Sequence, residues 1–164
     1  MTNRRNIPFS PPDITEAEIN LVSEALRSGW ITTGPKTKEL EKKIATLCHT
    51  DKAVCLNSAT ACMEVILRIL GVGPGDEVIT TAYTYTASAS VVCHVGATLK
   101  LVDVQPGSRE MDYDKLEDCI TERTKVIIPV DLGGIICDYD RIFKAVENKR
   151  TLFHASNELQ QAFG

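Results

Sequence analysis

Residues 57–60, Asn57-Ser58-Ala59-Thr60, set two hydroxyls around a small residue, and an apolar pattern of helical spacing starts directly after them. Cys62, Val65, Ile66, Ile69 and Leu70 recur at i, i+3, i+4, i+7 and i+8, which is one face of a helix. The start of a helix carries unpaired N–H groups and the positive end of the peptide dipoles, so it favours an anion such as a phosphate. Serine and threonine hydroxyls add donors there, and Ala59 leaves the backbone open to a ligand. The same residues also read as a plain helix start with Ser58 as its cap. Spacing alone leaves both readings open. Neither G-x-x-x-x-G-K-[ST] nor G-x-G-x-x-G occurs, so the glycine-built nucleotide fingerprints are absent.

Two further segments carry side chains of chemical interest. Tyr83 and Tyr85 lie in "TTAYTYTASAS", residues 80–90, just after a strand pattern, where either ring could lie against a planar ligand. Ordinary packing is the commoner fate of such aromatics. Asp131 lies in "PVDLGG" beside Gly133-Gly134. It could touch a ligand, although capping the turn is the favoured reading. His49, His94 and His154 show no spacing of a triad or a ligand set and read as structural or exposed.

The elements that would position these groups follow from periodicity. Residues 1–13 are polar and proline-rich and read as an extended arm. Thr15 and Glu18 form a capping box, and Ile19, Val22 and Leu26 carry a helix to about Ser28. A turn-rich loop holds Trp30, the only tryptophan, and a second helix places Leu40, Ile44, Leu47 and Cys48 on one face. Strand patterns then appear at 52–56, 77–82, 98–104 and 125–131. Helical patterns appear at 58–70, 87–95, 112–120 and from Asp138 or Asp140 to about Glu147. "SNELQQAFG" reads as one more helix, capped by Ser156 or Asn157. Strands alternating with helices at these lengths imply an α/β fold of three layers, a mostly parallel sheet flanked by helices. Four parallel strands ending this way leave an open sheet edge, to be covered by a partner or by further chain.

Composition narrows the function classes. The 164 residues are 43% hydrophobic and 24% charged, with a net charge of −4. That balance fits a globular domain and argues against a general grip on nucleic acid. No apolar run approaches the roughly 20 residues of a membrane span. The N-terminal "MTNRRNIPFSPPD" lacks the apolar stretch of a secretory signal. None of the six cysteines forms a C-x-x-C pair, which argues against zinc. Cys55, Cys62 and Cys93 sit in apolar runs and read as small buried hydrophobes. Reduced structural thiols point to the cytoplasm.

Taken together, "SGWITTGP", "NSATACMEVILRILGVGPGDEVITTAYTYTASASVV", "GATLKLVDV" and "TKVIIPVDLGG" resemble the DegT-type sugar aminotransferases. These are pyridoxal 5'-phosphate (PLP) enzymes of the aspartate-aminotransferase fold that act on nucleotide-linked keto sugars. The resemblance runs from about residue 7 to 148. It implies residues 1–35 as an arm, helix and substrate-side loop, and residues 36–164 as an incomplete PLP-binding large domain. It implies that Ser58, Ala59 and Thr60 bind the cofactor phosphate and that Tyr85 stacks on the pyridine ring. It places Thr32, Thr33 and Gly34 beside the sugar nucleotide. It further implies amino transfer from glutamate or glutamine, a homodimer, and a role in polysaccharide or modified-sugar biosynthesis.

Two parts of the family pattern find no match. The first is the acid that pairs with the pyridine nitrogen. Glu158 in "NELQQAFG" is a poor candidate, because "RTLFHAS" before it is not a buried strand, so the acid-bearing strand is expected beyond Gly164. The second is the Schiff-base lysine: Lys125 starts a strand at the wrong end, and Lys144 and Lys149 belong to an outer helix. The resemblance therefore implies no transamination by these residues alone. Some family relatives carry histidine at the lysine position and act as sugar dehydratases, which leaves that activity, or a non-catalytic module, as the alternative.

Overall fold

The structure is a computed structural model that describes residues 6–8 and 10–163. The first five residues and Phe9, part of the expected N-terminal arm, lie outside the described residues. The chain divides into two compact units, Met1–Cys55 and Leu56–Gly164.

In the first unit, α1 (Glu16–Arg27) opens on the expected capping box. The Thr15 backbone N–H donates to Glu18 Oε2 at 2.7 Å, and Thr15 Oγ1 accepts from Ala17 N–H at 3.2 Å. Helix α2 (Pro35–Leu47) has proline at its first position, where a missing N–H costs nothing. Between them the Trp30 indole N–H donates to the Thr33 carbonyl at 3.1 Å. The expected strand at 52–56 does not form. Among the described residues no strand pairs with it, and the Cys55 N–H instead donates to Glu41 Oε1 at 2.9 Å. An apolar pattern marks a segment fit for a sheet, but a ladder needs a neighbour.

The second unit runs α3 (Ala59–Ile69), β1 (Glu77–Thr81), α4 (Ala87–His94), β2 (Thr98–Val102), α5 (Tyr113–Cys119), β3 (Thr124–Ile128), α6 (Tyr139–Lys149) and α7 (Glu158–Phe163). The three strands form a parallel sheet in the order β2-β1-β3. Both crossovers are right-handed by rule; the first steps from β1 to β2 and the second returns from β2 past β1 to β3, so they run across the sheet in opposite directions and α4 and α5 cover opposite faces. The cores confirm it. Val78 faces Leu67, Val72, Val91, Val92 and Val95 on the α3/α4 side. Ile79, the next residue, faces Met111, Leu116, Ile142 and Ala145 on the α5/α6 side. All five β1 residues are buried, as expected of a central parallel strand. Strand β2, at an edge, is only partly covered.

Two polar clusters fasten the amino end of the sheet. Glu77, 1% exposed, accepts from the Thr121 hydroxyl at 2.6 Å and pairs with Arg123 at 2.6 Å and Lys100 at 3.3 Å. Burial works to raise its carboxyl, but the Thr121 hydroxyl and the two cations outweigh it, and its pKa lies below the ordinary value. Next to it, Asp76 accepts from Ser156 Oγ at 2.9 Å, from Gln160 Nε2 at 2.7 Å and from the Gly73 N–H at 3.1 Å.

The cysteines need one correction. All six are free, but Cys93 is exposed on α4, where Val91, Val92 and Val95 carry the burial, and Cys55 and Cys62 are only half-buried. Cys137 is the buried thiol; burial pushes its pKa up, and it donates to the Val130 carbonyl.

Candidate functional site

Helix α3 is joined to the start of β1 by a short link, Leu70 to Asp76, so its N-terminus lies at the opposite end, beside the carboxyl ends of the strands. Its 11 residues rise about 16 Å, close to the length of a five-residue strand. Helix α4 leaves the carboxyl end of β1 and runs the same way. The two helices lie side by side: Glu64 Oε2 of α3 accepts from His94 Nδ1 at 2.9 Å, and Arg68 donates to the His94 carbonyl at 3.3 Å. Both helix starts therefore open at the end of a parallel sheet where ligands gather.

The two starts differ in what they leave unpaired. At α4, the N–H groups of Ser88, Ala89 and Ser90 bond back to the carbonyls of Tyr85 and Thr86, and the Ser88 hydroxyl meets Thr84 Oγ1 at 2.9 Å. Of the first turn of α4, only the Ala87 N–H is left without a partner among the described residues. At α3, Ser58 Oγ accepts from the Ala61 N–H at 3.1 Å, and its carbonyl accepts from the Cys62 N–H. The N–H groups of Ala59 and Thr60 and the Thr60 hydroxyl have no partner among the described residues. No acidic residue occupies the first turn. Ser58 is thus the helix cap that its position suggested, and Ala59 and Thr60 still offer two amides and a hydroxyl to an anion. The cap and cradle readings are compatible.

The aromatic pair lies at the same end. Tyr85 is 82% exposed and Tyr83 is 53% exposed, so neither ring is committed to the core. Both follow β1 directly, Tyr83 through a weak bond from its N–H to Thr81 Oγ1 at 3.4 Å. Asp131, beyond the end of β3, is taken up by its own loop. Its Oδ1 accepts from the Cys137 N–H at 2.8 Å, and the Tyr139 hydroxyl donates to the same carboxylate at 3.3 Å. The Cys137 N–H is the main reason its carboxyl sits below the ordinary range.

The remaining candidates lie elsewhere. Thr32, Thr33 and Gly34 belong to the first unit, at the start of α2. Gly34 is the cap residue there and makes no side-chain bond. Glu158 is exposed in the first turn of α7, whose Asn157 and Gln160 reach Gly71 and Asp76 at the amino end of β1. It stands at the end of the sheet away from the α3 start. Lys125, likewise at the amino end, donates to the carbonyls of Glu122 at 2.8 Å and His154 at 2.6 Å. Among the described residues, no group of three or more His, Cys, Asp and Glu is placed to hold a metal ion. No described helix is long and apolar enough to cross a membrane. What the sequence reading missed is the Asp76 cluster. The signal was present in Asp76 at the end of a link with three glycines, Gly71, Gly73 and Gly75, but its partners lie 80 and 84 residues away.

Residues 12–153 match the model of the DegT/DnrJ/EryC1/StrS aminotransferase family. The chain belongs to this family. A Streptococcus pneumoniae protein assigned as a sugar aminotransferase (Spr1654) is 67% identical over 97% of this chain, with a TM-score of 0.91. It has been solved in apo, PMP and PLP forms. The spore coat polysaccharide biosynthesis protein SpsC of Bacillus subtilis is 41% identical over 90% of this chain. The UDP-4-amino-4-deoxy-L-arabinose–oxoglutarate aminotransferase of Shewanella sediminis is 45% identical over 84%. The chain spans 40%, 39% and 35% of these three relatives. The sheet with helices on both faces is the layered arrangement of the PLP-dependent aminotransferases in this family.

Proposed function

We propose that the second unit supplies the phosphate-anchoring part of a PLP-dependent sugar aminotransferase. The observation that carries this reading is the open start of α3: two unpaired amides, of Ala59 and Thr60, and a free Thr60 hydroxyl behind the Ser58 cap. A phosphate dianion suits such donors, and the helix dipole adds to the attraction. The residues present fit the group. Ser58 fixes the helix start, Ala59 and Thr60 donate to the phosphate, and Tyr85 offers its exposed ring to the pyridine. PLP, once bound, serves as an electron sink for amino-group transfer. The protein's part is to hold the phosphate and exclude water from the ring face.

In the whole enzyme the amino group passes from glutamate or glutamine to a nucleotide-linked keto sugar, within polysaccharide or modified-sugar biosynthesis in the cytoplasm. The Shewanella relative, named for an oxoglutarate-linked reaction of a UDP-sugar, supports that substrate class. Thr32, Thr33 and Gly34 stand on the substrate side, and the working form is a homodimer. The residues of this chain alone perform no transamination, because none of its lysines is placed to bond the cofactor.

Absorbance and fluorescence titration with PLP tests the reading. Saturable binding that inorganic phosphate displaces, and that Thr60→Val weakens, is the expected result. Binding indifferent to both phosphate and Thr60→Val would overturn the cradle. Turnover of a keto-sugar nucleotide by the purified chain would overturn the claim that it is inactive alone.

A further inference from the structure

Asp131 stands just past the carboxyl end of β3, three residues beyond Ile128. Ile128 pairs with Thr80 of β1, and Tyr83 lies three residues beyond Thr80. Neighbouring strands run about 4.8 Å apart, so Asp131 and the tyrosine segment leave adjacent strands at one end of the sheet. The start of α3 opens at the same end.

The loop after β3 fixes this carboxylate without using it up. Oδ1 accepts from the Cys137 N–H at 2.8 Å, and the single Tyr139 hydroxyl is shared between Oδ1 at 3.4 Å and Oδ2 at 3.3 Å. An ionised carboxylate offers about four acceptor positions, so Oδ2 keeps room for a further donor. The side chain is exposed, and no cation among the described residues pairs with it. With its carboxyl below the ordinary range, Asp131 is ionised at neutral pH. This end of the sheet therefore has two opposite preferences. The open amides of α3 favour an anion, and Asp131 favours a donor, best of all a cation.

We propose that Asp131 is a specificity residue of the cofactor site: it accepts a hydrogen bond from the cationic aminomethyl group of pyridoxamine 5'-phosphate (PMP), so that the site prefers the aminated form of the cofactor. The proposal rests on the phosphate cradle at the α3 start. PMP and pyridoxine 5'-phosphate share the phosphate, the ring and the ring hydroxyl. They differ in one substituent, an ammonium in PMP and a neutral hydroxyl in the other, and neither bonds covalently to a lysine. A carboxylate binds the ammonium more strongly than the neutral donor. During amino transfer the aminated cofactor has no covalent tether to the protein, and Asp131 supplies a non-covalent hold at that stage.

The test is calorimetric titration of the full chain with PMP and with pyridoxine 5'-phosphate. PMP should bind about tenfold tighter. Asp131→Asn keeps an oxygen for the Cys137 N–H, and so keeps the loop, but removes the charge. The two ligands should then bind within about twofold of each other. Asp103→Asn, which removes an exposed charge past the neighbouring strand β2, should leave the preference intact. Thr60→Val should weaken both ligands by the same factor, which reads the cradle separately. A preference that is absent, that survives Asp131→Asn, or that Asp103→Asn lowers as much, overturns the role of Asp131 while the cradle stands. If neither ligand binds, or Thr60→Val weakens neither, the cradle falls and the proposal falls with it.

Discussion

The side-chain amide of Gln160 donates to the Asp76 carboxylate across 2.7 Å, joining the last helix to the residue before the first strand. Both groups are buried, and the same amide nitrogen also donates to the Gly71 carbonyl at 3.0 Å. Gln160→Leu keeps a similar bulk but removes both donations, which leaves two acceptors short of a partner. The expected loss is about 1–3 kcal/mol, read as a lower urea midpoint with an unchanged slope.

Gly71 tests the same junction from the other side. Its φ is +69°, and a Cβ there would stand 2.5 Å from Asn157 Oδ1 and 2.9 Å from Leu159 Cβ. Gly71→Ala therefore meets both backbone strain and a clash with the start of α7. It should cost about 1–3 kcal/mol and loosen residues 156–163 first. Limited proteolysis that cuts this tail ahead of the sheet is the expected pattern.

Glu77 sets an acid limit on stability. Its folded carboxyl is lowered from an ordinary value near 4.5 despite burial, so the folded chain binds that proton more weakly than the unfolded chain does. Its contribution is fully present above the unfolded value and is lost as pH falls through the folded one. Denaturation midpoints of the native chain should drop as pH falls below about 4.5. Glu77→Gln should be less stable at neutral pH and flatter across that acid range, as measured by urea unfolding at several pH values.

The local features of this fold were legible in the sequence, and the long-range ones were not. Thr15 with Glu18, Ser58 and Asp138 all cap the helices their spacing announces, because a cap is decided within four residues. The Asn157 side chain accepts from the Gln160 N–H at 3.0 Å, which selects between the two caps considered for the tail. Residues 52–56 carried the same apolar signature as β1, yet only β1 found neighbours on both sides, and no pattern within five residues records that. The site divides in the same way. The open start of α3 is local and was readable, whereas the exposure of Tyr85 depends on how α4 closes its own first turn.

Ser58 and Thr60 should separate stability from binding. Ser58 Oγ holds the Ala61 N–H, so Ser58→Ala should destabilise the second unit by about 1 kcal/mol through the lost cap. The Thr60 hydroxyl bonds to nothing among the described residues, so Thr60→Val should leave stability within about 0.5 kcal/mol. If the hydroxyl donates to a bound phosphate, Thr60→Val should weaken PLP by roughly 10- to 150-fold, as expected for a hydrogen bond to a charged group. Paired urea and PLP titrations on the two variants read both quantities.

Trp30 offers a direct optical test of the loop before α2. It is the only tryptophan, 58% exposed, and its indole N–H donates to the Thr33 carbonyl at 3.1 Å. The ring lies so close to Gly34 that a Cβ there would stand 1.9 Å from Nε1. The Gly34 backbone is extended, so alanine meets no torsional strain, and the clash with the indole is the whole effect. Gly34→Ala should therefore expel the indole, break its bond to Thr33, and shift the emission maximum to the red with greater acrylamide quenching. Circular dichroism should hold, because α2 keeps Pro35 at its first position. An unchanged emission spectrum in a folded Gly34→Ala protein would show that the indole does not rest on this loop.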